Sequence, residues 1–159
     1  EQKYNLDMGV SYLIKEKVPV KSYDVFKDFV SHGTFGLVIT KQHPSRIQKL
    51  YMLEKTPMVW LSKNDEAESS IPGSNLGSLS HAITQFIEKS EKSVVILDGL
   101  EHLITINGFE KTIMYLYDII EFVSQHNSVL IIPVHEDAMD KKEVAILERA
   151  TESVSAVLA

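Results

Sequence analysis

The residues best placed to do chemistry in this 159-residue chain are two acids, Asp98 and Glu101, which follow the aliphatic run Val94-Val95-Ile96-Leu97. A strand buried on both faces reads as such a continuous run, and in open α/β sheets ligands gather beyond the carboxyl ends of the strands. Acids at that place can hold Mg²⁺ or orient an attacking water, provided that a phosphate cradle stands beside them. Gly99 permits a turn after the first acid, and Asn107-Gly108 breaks the chain before a long helical pattern.

The cradle is where this chemistry fails. The acidic strand end has the form of a Walker B element, and its partner would be a P-loop, in which glycines let backbone N–H groups approach phosphate and a Lys-Ser/Thr pair meets phosphate and metal. The matching place is Lys15 to Ser22, KEKVPVKS. Lys21-Ser22 opens a helix there, but neither required glycine precedes it. Val18-Pro19-Val20 removes one donor and adds β-branched bulk where the backbone should wrap an anion. Ordinary P-loop hydrolysis is therefore not expected, and Asp98 reads as a residue that caps a turn or accepts from loop amides. A candidate ligand edge remains in Lys21, Ser22, Asp98, Glu101 and His135, with a nucleotide or another small anion as its ligand.

Other chemistries find less. The histidines, His32, His43, His81, His102, His126 and His135, form no i,i+4 ligand pair and no H-E-x-x-H signature, so no metal and no cofactor is expected. His135-Glu136-Asp137 follows a strand on the same edge as Asp98, but a solvated loop accounts for it. G-x-S-x-G and G-x-G-x-x-G are both absent, which leaves a hydrolase triad and a dinucleotide site without support.

Composition narrows the class further. Apolar residues make up 44% of the chain, cysteine is absent and the net charge is −6. These values suit one globular domain of residues 1–159, without disulfides or thiolate metal sites, and they argue against nucleic acid as the main partner. No apolar run reaches the length of a membrane span, and nothing resembles a signal peptide. A cytoplasmic location follows as the expectation. The chain starts at Glu1 and stops at Ala159 straight after an apolar run, so it reads as one domain cut from a longer protein.

The elements that must position these residues alternate. Tyr12-Leu13-Ile14 predicts a first strand, and a helix runs from an N-cap at Ser22 to a stop at Gly33. Gly36–Thr40 is a second strand, Pro44 to Tyr51 a helix opened by His43 or a neighbour, and Met58–Leu61 a third strand. A polar loop from Ser62 to Ser74 leads to a helix ending near Ser90. The Asp98 strand follows, then a helix from Gly108 to Gln125 or His126, then a strand Val129–Ile132 closed by Pro133. A last helix spans Lys141 to Glu152, and Val154–Leu158 suits a sixth strand. The pattern predicts a three-layer α/β sandwich, with a mostly parallel sheet of five or six strands and helices on both faces.

The helix after Gly108 is more apolar than one sheet face requires. Beyond its core positions it carries Met114, Tyr115, Ile119 and Phe122, so that the apolar arc spans roughly 220° of the wheel. Either a neighbouring helix covers the excess or a partner does. These four residues form a candidate interaction surface.

YLIKE at Tyr12, GLVITKQHP at Gly36, WLS at Trp60, LDGLEHLITINGF at Leu97 and EVAILER at Glu143 resemble an archaeal family of unknown function. Its domains often sit at the C-terminal end of proteins with sensor modules such as PAS domains. Lys41 stands where that family has arginine, and His102 where it has tyrosine. The family in turn looks like a degenerate relative of the RecA/KaiC-type ATPases: Gly36 to Tyr51 is similar to their second strand and following helix, and Asp98 falls at their Walker B position. The resemblance implies the ATPase scaffold without its phosphate loop, and a role in signal transduction or as a protein-interaction scaffold, without enzymatic activity. A protein partner or self-association is expected. The alternative is a sensor that binds a nucleotide or small molecule without hydrolysis.

Overall fold

The computed structural model describes residues 2–63 and 69–154. Strand β1 (Ser11–Lys15) is followed by α1 (Val20–Ser31), β2 (Phe35–Thr40), α2 (Pro44–Tyr51), β3 (Met58–Leu61) and the two-residue β4 (Ser70–Ile71). Then come α3 (Leu76–Lys89), β5 (Ser93–Asp98), α4 (Leu100–Asn107), α5 (Phe109–Ser124), β6 (Ser128–Val134), α6 (Lys141–Ala150) and β7 (Glu152–Ser153). One sheet contains the described strands in the order β4-β3-β2-β5-β6-β1-β7, and every pairing in it is parallel.

Strand alternation divides the core into two layers. Leu13, Leu37, Ile39, Val95, Leu97, Leu130 and Ile132 point to one side, where they meet Leu79 and Ile83 of α3, Leu103 of α4, Leu116 and Val123 of α5 and Leu147 of α6. Tyr12, Ile14, Val38, Val94, Ile96, Val129 and Ile131 point to the other, against Phe26 and Phe29 of α1 and Ile47 of α2. Tyr4, Leu6, Met8 and Val10 of the N-terminal segment close over that second layer. The result is the three-layer sandwich that the alternating elements predict. Each central strand buries both its odd and its even side chains, which is why it reads as an unbroken aliphatic run.

Several elements differ from expectation. The sheet has seven strands among the described residues, because two edge strands are only two residues long and carry no readable pattern. The predicted sixth strand at 154–158 lies mostly outside the described residues; the strand seen there is Glu152–Ser153, paired with Tyr12 and Leu13. Residues 100–107, a stretch between the turn at Gly99 and the Asn107-Gly108 break to which the sequence assigns no element, form a helix with Leu100 and Leu103 buried at i,i+3 spacing. Gly108, at φ 85, separates α4 from α5 in a backbone conformation that a β-carbon disfavours. β6 runs through Pro133 to Val134 instead of ending before it. α1 begins at Val20 with Pro19 as its N-cap, so Ser22 sits inside the first turn.

Register sets the site. Thr40 pairs with Asp98 at the ends of β2 and β5, and Lys15 pairs with Val134 at the ends of β1 and β6. The carboxyl ends of the four central strands therefore share one edge. α1 lies close on β2, where a β-carbon at Gly36 would come within 2.6 Å of Phe26 Cζ and 2.7 Å of Val30 Cγ2.

Candidate functional site

At the first turn of α1 the backbone N–H groups of Lys21 and Ser22 point at one carboxylate, and it belongs to the chain itself. Lys21 N–H donates to Glu16 Oε1 at 3.0 Å and Ser22 N–H to Glu16 Oε2 at 2.8 Å. The Ser22 hydroxyl donates to the same Oε2 at 2.6 Å. Free N–H groups at a helix N-terminus, with the positive end of the helix dipole, make a place for an anion. Here the four-residue connection between β1 and α1 folds Glu16 back into that place. The Lys21 ammonium points elsewhere and donates to the carbonyl of Val154 at 3.2 Å, just past β7.

Asp98 is equally committed. Its Oδ2 accepts the Tyr23 hydroxyl at 2.8 Å and the Thr40 hydroxyl at 3.4 Å. Tyr23 is fully buried and stacks on Tyr51 with ring centroids 4.1 Å apart. Burial pushes the Asp98 carboxyl above the usual carboxylate range. The Tyr23 and Thr40 hydrogen bonds oppose that rise, and the neighbouring charges of Glu101 and Glu16 add to it. Burial, and then Asp98, push the Tyr23 phenol far up, so that it stays a hydrogen-bond donor. Glu101, in the first turn of α4, accepts the backbone N–H of His135 through Oε2 at 2.6 Å and so ties α4 to the end of β6.

The five residues of the expected ligand edge therefore do gather at one edge of the sheet, and a protein group meets each of them. Asp98 caps no turn; a phenol and a hydroxyl from neighbouring elements hold it. His135 contributes its backbone N–H. His102 packs against Gly73, where a β-carbon would lie 2.8 Å from Nε2, and burial followed by the charge of Lys41 pushes its pKa down. Among the described residues no group of three His, Cys, Asp or Glu side chains could hold a metal ion. Glu16, Tyr23, Thr40 and Tyr51 complete this network, and no motif marks any of them: their roles come from elements brought together by strand crossovers.

The expected interaction surface on α5 needs correction. Ile119 is buried, Tyr115 lies beside Leu76, Leu79 and Leu116, and Phe122 packs on the core and stacks on His126 at 4.0 Å. α3 lies alongside α5 and covers the excess apolar arc. Of the four residues Met114 alone is exposed, at 65%, and the outward face that it shares with Tyr117 also carries Glu110, Asp118 and Glu121.

A parallel sheet between two helical layers, with an acid ending β5 and no glycine between β1 and α1, is a three-layer α/β sandwich of the RecA-like fold, and in it the Glu16 carboxylate lies at the N-terminus of α1. The chain belongs to the family described as "Protein of unknown function (DUF835)", which matches residues 15–150. Among solved structures it is similar to the flagellar accessory protein FlaH from Methanocaldococcus jannaschii, with a TM-score of 0.63 over 92% of this chain and 70% of that one. The two share 13% sequence identity, so the likeness speaks for the fold alone. No curated protein sequence matches the chain significantly. No helix among the described residues is long and apolar enough to cross a membrane.

Proposed function

We propose that this domain is a non-catalytic protein-interaction module, of the kind used for signal transduction or scaffolding, on a RecA-like frame that has given up its nucleotide. One observation carries this reading: the Glu16 carboxylate occupies the N-terminus of α1 and takes the two N–H groups and the hydroxyl that a phosphate would need. A nucleotide phosphate would have to displace a charge-assisted, three-donor contact, and would then meet no glycine loop to wrap it. Asp98 supports the same view, because an acid that holds a buried phenol is poorly placed to bind Mg²⁺.

The alternative, a sensor that binds a nucleotide without hydrolysis, requires Glu16 to swing out of α1 and Lys21 to leave Val154. Calorimetry with ATP, GTP and cyclic nucleotides, each with and without Mg²⁺, separates the two. The expected result is no saturable heat and no released phosphate. A Mg²⁺-dependent binding isotherm would establish the sensor, and phosphate release that disappears in Asp98→Ala would establish an enzyme.

A further inference from the structure

α5 and α6 lie side by side in one helical layer, and their outward stripes carry opposite charge. On α5 the stripe is Glu110, Met114, Tyr117, Asp118 and Glu121, all exposed, at the i, i+4, i+7, i+8, i+11 spacing of one helix face. On α6 it is Lys142, Ala145, Ile146 and Arg149, at i, i+3, i+4, i+7, around a shallow hollow that Glu148 also lines. Lys141 adds a further cation at the start of α6, and Lys111 is a cation at the edge of the α5 face.

Among the described residues these charges are not spent on ion pairs. The described ion pairs join Lys3 to Asp24, Lys15 to Glu136 and Glu148, and His32 to Asp28. They leave the acids of α5 and the bases of α6 without an ion-pair partner among the described residues. Glu148, the acid that lines the α6 hollow, pairs with Lys15 at 2.7 Å, a lysine that it shares with Glu136 at 3.5 Å, so the cations Lys142 and Arg149 outnumber it there. Each stripe also has the same layout, with charges flanking an apolar middle. At 1.5 Å per residue Glu110 and Asp118 stand about 12 Å apart along their helix, and Lys142 and Arg149 about 10.5 Å. Met114 and Tyr117 lie between the first pair, 65% and 44% exposed, and Ala145 and Ile146 between the second.

We propose that this face docks a second copy of the same chain, the acidic stripe of α5 in each copy lying on the basic stripe of α6 in the other. A two-fold axis makes both contacts at once, because an isologous interface pairs residue i with j and j with i. Met114 and Tyr117 of each copy then cover the hollow at Ala145 and Ile146, and the charges close around them as a polar rim. This names the partner for the interaction module proposed above, and so rests on that reading.

Sedimentation equilibrium over a concentration series, at physiological ionic strength, tests it with two charge-reversed variants. One carries Asp118→Lys with Glu121→Lys, the other Lys142→Glu with Arg149→Glu. The unaltered chain is expected to pass from the mass of one chain to that of two. Each variant alone is expected to associate at least about a hundredfold more weakly, since like charges then face each other at both contacts. An equimolar mixture of the two variants is expected to recover the dimer, because both contacts become complementary again; that recovery also shows that both variants are folded. A chain that stays monomeric, a dimer indifferent to both reversals, or a mixture that fails to recover would each overturn the proposal. None of these outcomes bears on the calorimetry, so failure of self-docking and failure of the nucleotide-free reading are told apart.

Discussion

The hydroxyl of Tyr23 donates to Asp98 Oδ2 at 2.8 Å, joining the first turn of α1 to the last residue of β5 across 75 positions of sequence. Thr40, opposite Asp98 in the register of β2 and β5, adds a longer contact to the same oxygen. An acid that ends a central strand of a RecA-like sheet is thus part of the packing between layers. A partly buried carboxylate without such donors would be costly, which makes the tyrosine and the acid depend on each other.

The first prediction concerns pH. Burial holds the folded-state Asp98 above its unfolded value, so the native chain binds this proton more tightly than the unfolded chain. The resulting stability is fully present below the ordinary carboxylate value of about 3.9 and is lost as pH rises through the folded value. Asp98→Asn removes that dependence. Urea midpoints of the two proteins, measured from pH 4 to pH 7, should therefore move in favour of the asparagine variant as pH rises. A difference independent of pH would show that the carboxyl is not raised.

Tyr23→Phe tests the other side of the pair. Removing the hydroxyl leaves the partly buried carboxylate with the Thr40 contact at 3.4 Å. The expected loss at neutral pH is about 1.5–3 kcal/mol, the range for hydrogen bonds to charged groups. The loss should shrink in acid, where Asp98 is protonated. Thermal melts at both pH values check it, at about 2–4 °C per kcal/mol for a chain of this size.

Glu16 should matter for stability despite its place in a loop. Glu16→Ala leaves the Lys21 N–H, the Ser22 N–H and the Ser22 hydroxyl without their acceptor, and a loss of about 1–3 kcal/mol is expected. Glu16→Gln keeps a neutral acceptor and should lose less. A denaturant midpoint unchanged in both variants would mean that solvent replaces the carboxylate at no cost.

On α5, substitution separates core from surface. Ile119→Ala empties a buried position and should cost about 2–4 kcal/mol. Met114→Ala, on the same helix but exposed, should stay within about 0.5 kcal/mol when both are measured at a concentration where the chain is monomeric. Equal effects at the two sites would contradict the burial of Ile119 beneath α3.

Close packing at β2 gives a further test. Gly36→Ala places a methyl group against Phe26 and Val30, which are held between α1 and the sheet. Overpacking of this kind typically costs about 1–3 kcal/mol, and guanidinium titration should show it as a lower midpoint with an unchanged slope.

By itself the sequence determined the layers and most of the elements. Aliphatic runs such as Val94–Leu97 and Val129–Ile132 declare strands buried on both faces, because a parallel sheet under two helical layers has no polar side to record. The spacing in α1, α3, α5 and α6 declares helices for the corresponding reason, that one stripe must meet the sheet, and Pro44 marks the start of α2. The missing glycines of Lys15–Ser22 were also legible, since a phosphate loop is a local backbone requirement. What lies at the N-terminus of α1 was not. Glu16 reads as an ordinary loop acid until the β1–α1 connection turns it onto the helix N-terminus. No sequence pattern singles out Tyr23 until the crossover sets α1 against the end of β5. The four apolar residues of α5 divide into covered and uncovered only once α3 lies beside them. Local pattern records which face of an element is apolar; what lies against that face is set by strand order, which no stretch of neighbouring residues contains.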